Sequence, residues 1–92
     1  MMNGNFKTPN ELGQMIAFNV RARRKARKLS IKHLSEMSGV SYGSLKRFES
    51  LGEIALISLL KIAIVLDCTD EFEALFSAAE PKSIQEIING GL

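Results

Sequence analysis

The sequence predicts an all-α chain of five short helices, and three observations carry that prediction. Apolar residues recur at three- and four-residue spacing from Leu12 onward. Residues that favour helix starts, Thr8, Ser30, Ser41 and Thr69, stand just before four of those stretches. No run alternates apolar and polar residues for long enough to make a strand, and there is no internal repeat or low-complexity tract.

The first helix has the clearest start. Thr8, Pro9, Asn10 and Glu11 make a capping box with proline at the first helical position. Leu12, Ile16 and Val20 then recur every fourth residue, and the helix is expected from about Pro9 to about Arg27, with Leu29 closing the segment. Ser30 caps a second helix over 31–38, whose apolar positions are Ile31, Leu34 and Met37. Gly39 follows its last turn, where a left-handed residue ends a helix most easily. Val40 plugs the corner, Ser41 caps a third helix over 42–49, and Leu45 and Phe48 form its buried stripe. Two capped helices joined this tightly must cross steeply, the geometry of a helix-turn-helix, in which the second helix enters the DNA major groove.

A loop from Ser50 to Ala55 leads to a fourth helix ending near Leu66. Thr69 is expected to cap a fifth, with Asp70 and Glu71 in its first turn and Phe72, Leu75 and Phe76 as its stripe. After Pro81, Ser83 to Glu86 offers another capping box, followed by Ile87 and Ile88. The domain organisation read from this is a flexible N-terminal arm (1–8), a helix-turn-helix domain (9–78) and a C-terminal tail (79–92), either a short helix or a partner-docking segment.

Composition narrows the function. Ninety-two residues at 46% hydrophobic content make one small globular domain. Cys68 has no partner for an internal disulfide, which suits a reducing compartment, and no signal-peptide pattern opens the chain. The apolar stretch Ile54 to Leu66 is broken by Ser58 and Lys61 and is too short to cross a bilayer. The expectation is a soluble cytoplasmic protein with no membrane contact. His33 and Cys68 are the only residues of their types and lack ligand spacing, so no metal or other cofactor is expected. No glycine-rich phosphate loop, nucleophile–base arrangement or carboxylate pair appears, which points away from an enzyme.

Charge is strongly polarised. From Val20 to Ser50 there are nine Lys or Arg against two acidic residues, a net of +7, whereas Leu51 to Leu92 has a net of −5. Alone, the run Arg21 to Lys28 would read as a solvated helix face. Beside a helix-turn-helix pattern it reads as a surface that attracts phosphate.

Over about Leu12 to Phe76 the chain resembles the Cro/CI-type (XRE family) helix-turn-helix regulators. The resemblance rests on Val20, Arg21, Arg24, Leu29, Ser30, Leu34, Gly39, Val40, Ser41, Leu45 and Glu49, then Leu59, Ala63 and Leu66. It implies a lambda-repressor-like domain of five helices around one core. Within that family, KRFES and the loop after it are similar to the HipB-type antitoxins, which are paired with HipA-like kinase toxins.

The resemblance implies roles for single residues. The exposed positions of the second motif helix, Tyr42, Gly43, Lys46 and Arg47, would face base edges. A guanidinium can hold guanine O6 and N7 with two hydrogen bonds, so Arg47 is the leading reader. Tyr42 would contact a thymine methyl or a phosphate, Lys46 a phosphate or a base, and Gly43 permits close approach. Ser30, Lys32, Ser41, Ser44, Arg21 and Lys28 are the candidate phosphate ligands. Ile31 stands where the family usually has a glutamine that clamps phosphate, and Lys32 is the candidate to compensate. Lys28 replaces a glycine common at the preceding turn. A lysine held at positive φ there would cost roughly 1–2 kcal/mol, so a different local turn is one outcome. By the same resemblance Arg24 and Glu49 form a structural ion pair.

On the fourth helix, Leu59, Ala63 and Leu66 share one side, Ile57, Leu60 and Ile64 an adjoining arc, and Ser58, Lys61 and Val65 face away. An apolar arc of roughly 200° exceeds what one core needs. It is either the mark of a well-buried central helix or a homodimer interface through Ile57, Leu60 and Ile64. Ile84, Ile87 and Ile88 would add to that interface or dock on a toxin subunit.

The function expected is a homodimeric repressor of a two-fold symmetric double-stranded DNA operator, paired as antitoxin with a HipA-like kinase toxin. The alternatives are a protein-interaction module that neutralises a toxin with little DNA binding, and a stand-alone phage-type regulator.

Overall fold

Thr8 and Glu11 exchange hydrogen bonds at the start of the first helix. The Thr8 hydroxyl accepts the Glu11 amide at 3.0 Å, and the Glu11 carboxylate accepts the Thr8 amide at 2.8 Å. The computed structural model describes residues 7–78. Within them lie α1 (Pro9–Ala26), α2 (Ile31–Ser38), α3 (Tyr42–Leu51), α4 (Leu56–Val65) and α5 (Thr69–Glu73). No strand occurs among the described residues, so the all-α class and the five-helix order hold. Most of the N-terminal arm and the tail from residue 79, with the Ser83–Glu86 box, Ile84, Ile87 and Ile88, lie outside the described residues.

α1 packs on α3, α2 on both α3 and α4, and α5 on α4. Leu34, Val40, Leu45, Ile62, Ala63, Leu66 and Cys68 form the buried core, with Val20, Leu29, Ile31, Ile54, Val65 and Phe72 packed around it. Leu34, Leu45, Phe48 and Ile62 are fully enclosed. Each such side chain contributes about 1.5–3 kcal/mol by leaving water.

Several sequence expectations shift by a turn or a face. α3 runs on to Leu51 because Gly52, at φ 77°, supplies its left-handed stop and donates its amide to the Phe48 carbonyl at 2.8 Å. The loop to α4 is therefore shorter than expected. Thr69 is the first helical residue of α5 rather than its cap; Cys68 holds the cap position without a side-chain hydrogen bond. α5 ends at Glu73, so Leu75 and Phe76 fall past it, and Phe76 is 96% exposed. Only Phe72 of that expected stripe packs on the core. Val65 is half-buried rather than turned away, because the core side of α4 is centred on Ile62 and Leu66. Met37 is largely exposed at the end of α2.

The buried side of α1 is also not the one its leucine and isoleucine suggest. Leu12 and Ile16 are 43% and 41% exposed, while Ala17 and Arg24 are buried. The reason is a close backbone approach. A Cβ on Gly13 would stand 2.5 Å from the Gly52 carbonyl oxygen, and one on Gly52 would stand 2.6 Å from the Gly13 carbonyl carbon. Two glycines let α1 lie directly on the end of α3, which leaves the bulkier neighbours at the edge.

This contact yields a test by Gly13→Ala. Helix preference alone favours alanine by about 0.8–1 kcal/mol, but overpacking against a backbone that cannot move aside costs roughly 1–3 kcal/mol. The urea midpoint is expected to fall. A raised midpoint would show that α1 and the loop can part freely.

Candidate nucleic-acid interface

The motif is held by short side-chain bonds at each corner. Ser30 accepts the His33 amide at 3.0 Å at the start of α2. Gly39, at φ 79°, ends that helix. The Ser35 hydroxyl then donates to the Val40 carbonyl at 2.6 Å, while the Val40 amide donates to the Ser38 hydroxyl at 3.1 Å. Val40 is buried between them. Ser41 caps α3 by accepting the Ser44 amide at 3.1 Å, and its hydroxyl donates to that of Ser44 at 2.8 Å. Both ends of the turn are thus bonded locally, which fixes how α3 leaves α2.

The far end of α3 is tied to α1. Arg24 Nε and Nη2 donate to the two Glu49 carboxylate oxygens at 2.7 and 2.9 Å, and Nη1 donates to the Leu29 carbonyl at 2.7 Å. Both side chains are only 8% exposed. A two-point fork of this kind fixes orientation as well as distance. Removing one partner would strand a buried charge, at a cost of about 3–5 kcal/mol.

The turn before Ser30 keeps the left-handed conformation despite its lysine: Lys28 has φ 58°. Its amide donates to the Lys25 carbonyl at 2.9 Å and that of Leu29 to the Arg24 carbonyl at 3.1 Å. These are the paired bonds of a Schellman ending. The Leu29 carbonyl is then free to accept from Arg24, so the turn and the ion pair support one another.

With α3 held at both ends, its outward face follows from helical geometry. At about 100° per residue, Tyr42, Lys46, Gly43 and Arg47 span an arc of roughly 140° opposite Leu45 and Phe48. All four are exposed. Lys46 Nζ sits 6.0 Å from the centre of the Tyr42 ring, the outer limit of a cation–π contact. A shallow pocket beside the Arg24–Glu49 pair is lined by Arg21, Ile31, Lys46 and Ser50, which brings two cations to one flank of α3. A second pocket, on its other flank, is lined by Ser44, Arg47, Glu53, Ala55 and Ser58. The first turn of α4 opens there without a side-chain cap at Ala55. Amides at such a helix start carry partial positive charge and suit an anion.

The basic run divides between two tasks. Arg23 pairs with Glu71 of α5 at 2.6 Å, and that carboxylate raises its pKa. Arg24 is consumed by Glu49, and Arg27 reaches the Val65 carbonyl at 3.4 Å. Arg21, Lys25, Lys28 and Lys32 are exposed and take part in none of the ion pairs found among the described residues. Arg47 pairs with Glu53 at 2.9 Å. On α4, Ile57 and Ile64 are 62% and 67% exposed and lie opposite the core side, while Leu60 is half-buried.

Sequence reasoning missed Glu53, the uncapped start of α4 and the Gly13–Gly52 contact. Gly52 was the available signal, since a glycine after Leu51 marks a helix end and so a fixed loop. The arrangement presents cations and helix starts around one exposed helix, a surface suited to a polyanion. Among the described residues no group of His, Cys, Asp or Glu could hold a metal ion, and no helix is long and apolar enough to cross a membrane.

Comparison with known families agrees with this geometry. The helix-turn-helix family profile matches residues 20–72, from the second half of α1 into α5. No curated protein matches the chain.

Gly43 provides the contrast to Gly13. Nothing lies within 4 Å of a Cβ built there, so Gly43→Ala should stabilise the free protein by roughly 0.5–1 kcal/mol through helix preference. Thermal unfolding checks this, and a lowered midpoint would mean that the outer face of α3 is covered in the free chain.

Proposed function

Because the chain belongs to the helix-turn-helix family of DNA-binding transcription regulators, we propose that it acts as a homodimeric repressor that reads a two-fold symmetric operator. The observation that carries this reading is the exposed arc of Tyr42, Gly43, Lys46 and Arg47 on a helix anchored at both ends. In this role Arg47 reads a base edge, Lys46 and Tyr42 contact base or phosphate, and Gly43 lets the helix come close. Arg21, Lys28 and Lys32, with the hydroxyls of Ser30, Ser41 and Ser44, hold the phosphates on either side. Ile57, Leu60 and Ile64 form the contact between two copies. Such a contact sets two copies of α3 into successive major grooves one helical turn apart.

The regulated partner in this reading is a HipA-like kinase toxin, with the chain as its antitoxin. The resemblance of KRFES and its loop to HipB-type antitoxins supports it. So does an apolar groove between α1, α4 and α5, lined by Ile16, Leu56, Leu59, Phe72 and Leu75. The same groove favours a second reading, in which holding a protein partner is the main task and DNA binding is secondary.

Selection from a random duplex library at about 0.15 M ionic strength tests the proposal. The expected product is a symmetric site with half-sites about 10 base pairs apart, or a multiple of that. On that site Arg47→Ala should cost about 1–3 kcal/mol and relax preference at one base pair, while Lys32→Ala weakens all sequences alike and lowers the salt slope by about one. If both variants bind every sequence as the wild type does, α3 is not the reading helix. Retention of all sequences alike moves the weight to the partner-holding role.

A further inference from the structure

The carboxylate of Glu53 lies on the surface that the chain is proposed to turn toward phosphate. Its Oε1 accepts from Arg47 Nη2 at 2.9 Å, and the two side chains are 58% and 64% exposed. An ion pair this exposed adds little to folding stability. Beside a polyanion the carboxylate also opposes general affinity. Neither stability nor attraction to phosphate accounts for an acid at this place.

The position of Glu53 is set by its backbone neighbours. Gly52, immediately before it, is locked against Gly13 of α1 and takes the left-handed conformation that ends α3. Ile54, immediately after it, packs against the core. The carboxylate therefore stands on a fixed loop, six residues on from Arg47 and across the end of the same helix. A guanidinium carries five N–H donors in a rigid plane. One proton of Nη2 on Glu53 leaves the others, including the second on Nη2, for a base edge.

We propose that Glu53 is a positioning residue for Arg47: it holds the guanidinium plane in one orientation before DNA arrives and so raises the preference for one base over the rest. This rests on the reading of Arg47 as a base contact. An arginine on a flexible stem reaches many phosphates and bases about equally, whereas one oriented by a fixed carboxylate presents its fork in one direction. The adjacent negative charge meanwhile weakens attachment to sequences in which Arg47 finds no base partner. Glu53 exchanges general affinity for selectivity.

The experiment measures binding of full-length wild type, Glu53→Gln, Arg47→Ala and the double variant by fluorescence anisotropy. The duplexes are the selected site and the same site changed at the base pair that Arg47→Ala relaxes. Glu53→Gln is expected to lower the preference between them by about two- to fivefold, the range an exposed ion pair supplies, and to tighten binding to the changed duplex. In the Arg47→Ala background the same substitution should leave the preference unaltered, and a general loss of structure would not behave in that way. An unchanged preference in the wild-type background overturns the inference, as does an equal change in both backgrounds. Wild type that selects no site overturns the base-reading role of Arg47 and this inference with it; a site relaxed by Arg47→Ala but not by Glu53→Gln overturns this inference alone.

Discussion

The buried pair of Arg24 and Glu49 is the interaction on which the rest of the structure depends. Caps and local turn bonds fix how α3 leaves α2, but they do not reach its far end. Arg24 fixes it from three sides, through two carboxylate oxygens of Glu49 and the carbonyl of Leu29. That carbonyl is available because Lys28 takes a left-handed turn that any residue other than glycine resists. Strain of about 1–2 kcal/mol in that turn is smaller than the roughly 3–5 kcal/mol at stake if the buried pair loses a partner. The turn follows the pair.

The same balance of magnitudes sorts the basic run into structural and outward-facing residues. Arg24 lies inside and is paired, so its charge serves the fold. Arg23 and Arg27 bind α1 to Glu71 and to the Val65 carbonyl. Beyond these and Arg47, the outward cations of Val20–Ser50 are Arg21, Lys25, Lys28, Lys32 and Lys46, fewer than its nine Lys and Arg suggest. Surface ion pairs are individually weak, and the single bond from Arg47 to Glu53 leaves its other N–H donors open outward. A deep pair for rigidity and a shallow one at the proposed reading surface is a division that suits a helix held firmly by a scaffold and used through its outer face.

Much of the fold was legible in the sequence because its signals are local. Thr8 with Glu11, Ser30, Gly39 and Ser41 each act within four residues, and each stands where the pattern placed it. The leucine, isoleucine and phenylalanine spacing in α2 and α3 identified Leu34, Leu45 and Phe48 as core. What was not legible depends on contacts and turn geometry that residue type alone does not fix. Leu12 and Ile16 look like the buried stripe of α1, yet Gly13 meeting Gly52 decides which side lies inward. Thr69 is a good cap by type, but the Schellman ending of α4 at Asp67 and Cys68 starts α5 one residue early. On the proposed reading surface, the exposure of Tyr42, Gly43, Lys46 and Arg47 follows from helical spacing. The carboxylate of Glu53 could not be placed there, since only the folded loop brings it to Arg47.

In the proposed function, α3, held by Arg24 and Glu49, is the face that meets DNA. Titrating isotope-labelled protein with its selected duplex and following backbone amide resonances tests this most directly. Large shifts are expected at Ser30, at Ser41 through Arg47, at Glu53 and in the first turn of α4, with Leu60 and Ile64 further along that helix unmoved by DNA itself. Shifts centred instead on Ile16, Leu59 and Phe72, with α3 unaffected, would contradict it and make the apolar groove the working surface.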